Sequence, residues 1–449
     1  MGNSFDPFNP EHWANESIAI LEENMIAAQL VSRDFNDYVA SYGQTVHTRK
    51  PSELTAEPYE KGDAITIQDA AATDVEVKLD TMLDTSFKVF DVEQTYSFKN
   101  LVELYIYPAM MAQGRILDRK ILGKASQFLG NRVSGLGLLS KTTAHDTLVD
   151  AHKQFNMQKC SEAGRSIVFT PSSHAHLLKT DLFVAAERAG SSETQRNASL
   201  GPKFGIQNWM SLNTPGASGA TTATATTTTA NTLAGATTVL VTSASNLAKG
   251  TYFTVVGDMT PQRVGALNTL TITTTRPFLN ATTSGAAVQP YANGAVDLVG
   301  GYAAGWNKWI HVDGTGVPKL GQIVSFQDAS NNLHADEYVI VDVKAVSSDY
   351  EIRLDRPLVT ALANDDIINY GPTGDINFAF QRNAIALVNR PLATPSVPSG
   401  ARVAVARSHN MSMRVILAYD NNYKALTVSI DSLFGIKTLD TQYGFVVYG

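Results

Sequence analysis

Apolar residues along this chain recur at two different periods, and the change of period divides it into regions. Between about 12 and 35, Ile18, Leu21, Met25, Ala28 and Val31 keep a spacing of three and four. That spacing puts them on one face of a helix starting near Asn15, with Arg33 in its last turn. Polar, turn-rich sequence follows, so no adjacent element covers this face and another subunit is the expected cover. Residues 41–51 read as turn, short strand and stop, because Pro51 has no N–H to give to a ladder. Ile65 and Ile67, then Val75, Val77 and Leu79, alternate with polar residues. These runs predict the two arms of a long hairpin, and Phe87-Lys88-Val89-Phe90 returns the chain. A hairpin of this kind is marginal alone and must lie on something else.

From about 98 to 129 a helical stripe runs through Leu101, Leu104, Tyr105, Met111, Ile116, Leu117, Ile121, Leu122 and Phe128. Pro108 falls inside it and must bend or restart the helix, since it lacks the donor that the turn needs. The glycines of 130–137 turn the chain, and a second helix is expected over 142–157. Arg165 to Thr170, stopped by Pro171, reads as a buried strand, with a short helix over 173–188 after it.

Near 214 the helical period disappears. From Pro215 to about Thr283 the sequence is mostly Thr, Ala and Gly with few charges, and short alternating runs such as Thr238–Val241 and Leu270–Ile272 predict an all-β region. The Thr/Ala run at 220–232 is of low complexity and reads as an exposed loop. A degenerate repeat lies here. Leu247-Ala248-Lys249-Gly250, Tyr252-Phe253 and Leu270 to Phe278 are echoed by Pro318-Lys319-Leu320-Gly321, Val324-Ser325-Phe326 and Tyr350 to Leu358. Each copy has a glycine turn before an aromatic strand and a strand that ends in Arg-Pro. Two similar halves of a small β barrel or sandwich are predicted. Beyond 376, strands are expected at 378–380, 384–388 and 403–405, and a hairpin joins 413–419 to 425–430 around Asp420-Asn421-Asn422. Gly435 to Tyr448 reads as a last strand.

Composition narrows the class. The chain has 449 residues, of which 44% are hydrophobic and 17% charged, with a formal charge of −7. That is globular material, enough for about three domains of ~150 residues. A net negative charge weighs against a protein whose main task is to grip phosphate backbone, although one that merely encloses nucleic acid is compatible with it. The single cysteine, Cys160, excludes an internal disulfide framework and a four-thiolate zinc site, and it reads as a buried structural thiol. Met1-Gly2-Asn3-Ser4-Phe5-Asp6 has neither a secretory pattern nor the Ser or Thr that myristoylation wants at position six. No apolar run approaches the ~20 residues of a bilayer span. Synthesis and retention in a cytoplasm are expected.

Five places carry residues suited to chemistry. Gly130-Asn131-Arg132-Val133-Ser134-Gly135 has the glycine spacing of a phosphate loop, but Leu136 and Gly137 stand where Lys and Ser/Thr must be. His174 and His176 have no third ligand at a metal spacing. His145 and His152 share a helical face and suit packing as well as chemistry. Asp365-Asp366 and Asp420-Asn421-Asn422 lack the periodicity of a calcium loop and suit turns. No Gly-x-Ser-x-Gly elbow occurs. No catalytic, cofactor-binding or metal-ligating residue is therefore expected, no cofactor is called for, and the chain reads as a non-enzyme.

The order of elements resembles the major capsid proteins of tailed bacteriophages with the Hong Kong 97-type fold, in the branch that carries an inserted β domain. The residues that carry it are Arg33-Asp34-Phe35 with Tyr42-Gly43-Gln44-Thr45-Val46 at the arm, and Tyr107-Pro108-Ala109 with Ile116 to Leu122 in the long helix. Phe204 to Asn213, Phe378 to Pro391, Arg414 to Tyr419 and Asp431 to Lys437 complete it. The resemblance implies an α+β fold with an N-terminal arm (1–50), an extended-loop hairpin (51–97), and a spine helix with the first part of the peripheral and axial domains (98–213). An inserted β domain (214–375) and closing strands of both domains (376–449) follow. One departure is that the insert is doubled where a single small one is more usual.

The resemblance further implies a subunit that assembles with copies of itself, as hexamers and pentamers, into an icosahedral virion shell around double-stranded DNA held without sequence specificity. A separate scaffolding protein, a portal and, as an option, a decoration protein are the implied partners, with no membrane involved. An encapsulin-like compartment and a β-rich, glycan-binding surface adhesin are the alternatives.

Overall fold

The computed structural model describes residues 25–33, 45–50, 73–90, 105–133, 142–180, 193–217, 225–313, 316–371, 374–394, 402–408 and 411–449, with single positions 17, 56, 139, 183 and 185. They form a sheet-rich mixed fold in two compact units. One unit comprises Met1–Asn24, Val31–Gly114 and Ile385–Leu439, and the other Met25–Leu30, Arg115–Ala384 and Asp440–Gly449.

The first unit is built on a sheet in which Ile385–Arg390, Ala425–Thr438, Met411–Asp420 and Arg402–Ser408 lie side by side. The tight turn at Asp420 makes the central hairpin, with Tyr419 opposite Leu426 and the Asp420 carboxylate accepting from Asn422 N at 3.0 Å. Thr81–Phe90 zips onto the first part of Ala425–Thr438, from Phe90 opposite Ala425 to Thr81 opposite Phe434. A second pair, Thr45–Lys50 with Thr73–Lys78, is antiparallel. Its continuation packs Val77 and Leu79 on Ala386, Val388 and Leu433. Gly435 permits that approach, because a Cβ there would collide with the Lys78 carbonyl. Gln113 secures the helical part of this unit: its amide donates to Ile430 O at 2.8 Å and accepts from Ser432 Oγ at 3.0 Å.

The second unit centres on a seven-stranded mixed sheet. Its order is Arg132–Val133, Gly444–Tyr448, Gly374–Gln381, Arg165–Phe169, Ile206–Met210 and Pro202–Lys203, with Gly216–Ala217 added to Gly374–Gln381. The helix Ala144–Met157 lays Leu148, Ala151 and Phe155 on this sheet, where Phe155 meets Phe445 edge-on at 4.6 Å. Thr170 caps the helix Pro171–Leu178 by accepting from Ser173 N at 3.2 Å, with Pro171 at the first helical position, where a missing N–H does no harm.

Residues 226–370 form two six-stranded modules with the same strand order. In the first, the sequence of neighbours is Thr238–Leu240, Thr271–Thr274, Asp258–Asn268, Tyr252–Val255, Ala287–Pro290 and Thr226–Thr227. The second repeats it with Ile310–Asp313, Asp349–Leu354, Leu333–Val346, Ile323–Gln327, Ile367–Tyr370 and Asn293–Val296, and closes into a barrel. Equivalent bonds recur. Gly250 N donates to Val264 O and Gly321 N to Ile340 O, each at 2.8 Å; Gly235 N reaches Phe278 O at 2.8 Å and Gly305 N reaches Leu358 O at 2.7 Å. Each module fills its own interior, around Phe253, Val264 and Ile272 in one and Phe326, Ile340 and Ile352 in the other.

Several expectations are corrected. The arm helix is present at Ala27–Leu30, and positions 18 and 21 lie outside the described residues. It stops because Ser32 bridges to Ala386, and Met25, Ala28 and Val31 are fully buried in this chain without another subunit. The expected hairpin arm at 64–67 lies outside the described residues, and Thr73–Lys78 pairs with Thr45–Lys50 instead. Of the helix expected over 98–129, positions 98–104 lie outside the described residues; helical backbone at 105–106 leads into the α-helix Tyr107–Gly123, which tightens to a 3₁₀ turn over Lys124–Phe128. Thr226–Thr228 belongs to the sheet of the first module rather than to an exposed loop, with Thr228 bridged to Val241. The final strand is interrupted: Asp440 accepts from Gln442 N at 2.9 Å, capping a 3₁₀ turn at Thr441–Tyr443 before Gly444–Tyr448.

Candidate functional site

The two β modules meet at a buried polar cluster. Tyr252 begins an inner strand of the first module and Glu337 lies opposite Ser325 in the second. The Tyr252 hydroxyl donates to Glu337 Oε1 at 2.6 Å, and Arg276 pairs with the other carboxylate oxygen. Burial raises the proton affinity of Glu337, but the Arg276 charge and the bonds from Arg276 and Tyr252 outweigh it and hold the carboxyl below its ordinary range. The same burial and the Glu337 charge push the Tyr252 phenol well up, so it stays a donor. Arg263, paired across the ladder with Tyr252, reaches His334 O at 3.1 Å in the second module.

The second module answers with its own arginine. Arg356 donates to Asp336 Oδ1 at 3.2 Å and to Glu337 O at 2.9 Å, lies 4.6 Å over the Tyr338 ring, and reaches Ser126 Oγ at 3.4 Å. The two Arg-Pro motifs of the repeat thus bring Arg276 and Arg356 onto neighbouring residues, Asp336 and Glu337. Each strand stops, at Thr274 or Leu354, two residues before its arginine. Arg132, from the edge of the seven-stranded sheet, donates to Pro277 O and to Pro261 O, and Lys124 stands 3.8 Å from the fully buried Asp355. Asp355 also caps Val339 N at 2.9 Å. The bonds of this cluster tie one element to another, while the Nε atoms of Arg263 and Arg356 have no hydrogen-bond partner.

The residues singled out in the sequence fall into ordinary structural roles. Asn131, inside the glycine loop, donates to Thr441 O at 2.9 Å, and Arg132–Val133 is a strand parallel to Gly444–Tyr448. His145 sits edge-on to Phe204 at 5.9 Å, and His152 Nδ1 lies 2.8 Å from Phe204 O, so the pair fixes one loop residue. His174 and His176 lie on the Pro171–Leu178 helix, and burial holds His174 below its usual range. Asp366 accepts from Ala363 N at 2.7 Å within a turn whose Asp365 has φ of 64°. The Cys160 thiol is buried, which pushes its proton affinity up. Among the described residues no three of His, Cys, Asp and Glu are grouped so that they could hold a metal ion, and no helix is long and apolar enough to cross a membrane.

The sequence reading missed the joint itself. The signal was faint: Arg263 and Glu337 lie within the strands Asp258–Asn268 and Leu333–Val346, which carry other polar residues, and Arg276 and Arg356 each follow a strand by two residues. Only the pairing of the modules tells which of them face one another.

No family model matches the chain, and no curated protein matches it either. Among solved structures it aligns with one described as Mycobacterium phage Che8, at 13% identity and a TM-score of 0.45, over 94% of this chain and 90% of that one. It also aligns with the capsid of cyanophage P-SCSP1u, at 10% identity and a TM-score of 0.45, over 91% and 84% of the two chains. A third is the mature capsid of bacteriophage PhiM1, at 8% identity and a TM-score of 0.40, over 93% and 86%; the solved structures to which this chain is similar thus include phage capsids.

Proposed function

We propose that this chain is the major capsid protein of a tailed bacteriophage, a structural subunit that assembles with copies of itself into an icosahedral shell. The observation that carries the reading is the order of elements along the chain. An arm segment ending at Leu30 comes first, then a strand pair and a strand zipped onto a long C-terminal strand, a 17-residue helix, and a mixed sheet completed by the last strand. That is the order on which the resemblance to the Hong Kong 97-type fold rests, and phage capsids among the solved neighbours agree with it.

Within this reading, 1–50 is the arm, 51–97 the extended loop, and 98–213 the spine helix with the first part of the peripheral and axial domains. Residues 214–375 are an insert of two β modules. Hexamers and pentamers are its assembly units, packaged DNA is touched without specificity, and scaffolding and portal proteins direct the process in the host cytoplasm. The role is structural, with no catalytic residue, cofactor or metal. A glycan-binding adhesin is less well supported, because the aromatic residues Tyr252, Phe253, Phe326, Tyr338 and Tyr370 of the modules are buried rather than offered as stacking platforms.

The test is electron microscopy of the expressed chain, alone and with its scaffolding partner. Closed shells or ring-shaped capsomers are the expected outcome; a chain that stays monomeric in both preparations overturns the proposal.

A further inference from the structure

Asp118 lies in the second half of the Tyr107–Gly123 helix and is 1% exposed. Its Oδ2 accepts from Ile26 N at 3.1 Å. The backbone N–H groups of Ala27 and Ala28 and the side-chain amide of Asn213 also act on the carboxyl. The short helix Ala27–Leu30 begins here, so its first N–H groups have no partners within the helix. A carboxylate from ninety residues away takes the place of a local cap. The groups that act on it most strongly are neutral. The causes that act on it include no charged group; of the cations on its own helix, Arg119 donates to Val341 O at 3.3 Å and lies in the field of Asp342, Lys120 reaches Asn307 Oδ1 at 3.3 Å, and Arg115 acts on Arg119. A buried carboxylate balanced by dipoles alone is poorly solvated when charged.

We propose that Asp118 is a proton-operated latch, which holds the Met25–Leu30 segment more tightly when it is protonated than when it is charged. Burial raises the docked carboxyl from its ordinary 3.8 to about 6, the backbone and amide bonds offsetting only part of that. Once the segment lifts away and water reaches Asp118, the carboxyl returns toward the ordinary value. The docked state therefore binds the proton more strongly, and docking strengthens as pH falls through about 6 toward 4. A difference of about two pH units corresponds to roughly a hundredfold change in the docking equilibrium. At neutral pH the latch is in its weaker state. The inference concerns the single chain and does not depend on shell formation.

The test is hydrogen–deuterium exchange of the full chain between pH 4.5 and 7.5, corrected for intrinsic exchange, with the Arg165–Phe169 strand as internal reference. Protection at 26–28 relative to that strand should fall by at least tenfold between pH 4.5 and about 6 and level off above it. In Asp118→Asn, a neutral isostere, the protection should be independent of pH and at least equal to the acid value of the wild type. Asn213→Ala removes one donor to the carboxylate and should move the pH at which protection levels off upward while keeping the transition. A flat wild-type profile, a rise in protection with pH, or a transition unchanged in Asp118→Asn would overturn the proposal. Should Asp118→Asn not fold, the wild-type profile and the direction of the Asn213→Ala shift decide the matter.

Discussion

At the scale of single residues, the joint between the modules shows why a buried charge is tolerated. Glu337 has a cation on one oxygen and a phenol on the other, and each of its partners has been taken out of water with it. Glu337→Gln leaves Arg276 buried beside a neutral amide and should destabilise the chain by roughly 3–5 kcal/mol in urea unfolding. Tyr252→Phe removes only the hydroxyl bond and should cost about 1–2 kcal/mol. Because Glu337 is held below its ordinary value of 4.5, its contribution is complete above that pH and is lost as pH falls through the lowered value. Acid unfolding should therefore be less steep in Glu337→Gln than in the wild type.

A contrasting pair lies in the other unit. Asp84 and Asp431 stand directly opposite across two strands, and Ser429 Oγ lies 2.9 Å from one and 3.0 Å from the other. Burial, and then Asp84, raise Asp431, although Arg414 offsets part of this. Like charges in register repel, so Asp84→Asn should stabilise the chain at neutral pH by a few tenths to about 1 kcal/mol, read by the same unfolding assay.

At the scale of elements, pattern was most legible where one chain segment supplies its own reason to fold. The helix Ala144–Met157, the strand Arg165–Phe169 and the hairpin at Asp420 follow from period and turn chemistry, within two residues of expectation at most boundaries. Elements whose limits depend on a distant partner were less legible. Ser32 leaves the helix because Ile385 and Leu387 offer it a ladder, and Thr73–Lys78 pairs with a strand that sequence spacing did not favour. The repeat gave the two modules, and one glycine shows how closely they pack. Gly250 has φ of 92°, and a Cβ on it would collide with Gln327 Oε1 in the second module. Gly235 has φ of 85° with open space around it. Gly250→Ala should cost about 2–4 kcal/mol, adding overpacking to the left-handed backbone term, whereas Gly235→Ala should cost only about 1–2 kcal/mol. Equal thermal-stability losses in the two variants would refute the close packing of the modules.

At the scale of the whole molecule, the modules are built into the chain that flanks them. Arg132 and Lys124 are buried and have their partners at Pro261, Pro277 and Asp355, and Gly216–Ala217 pairs with Gly374 and Asp375. Deleting 216–374 strips two buried cations of these partners, and the expected outcome is loss of soluble, cooperatively folding protein rather than a trimmed but intact subunit. A deletion variant that unfolds in a single sharp transition would show that the modules are dispensable to the fold.

What the sequence by itself determined is the set of local periods: where helices and strands lie, where the composition turns to β, and that the β region is written twice. Those follow from the 3.6 and 2.0 residue repeats and from proline and glycine chemistry, which act within a few residues. The tertiary structure alone decided which charged residues share a buried site and which face of the arm segment is covered. It also decided that a carboxylate at 118 meets the first N–H groups of the helix Ala27–Leu30. Those choices depend on burial and on strand pairing across hundreds of residues, where a change of partner alters the dielectric around a charge without altering any local pattern.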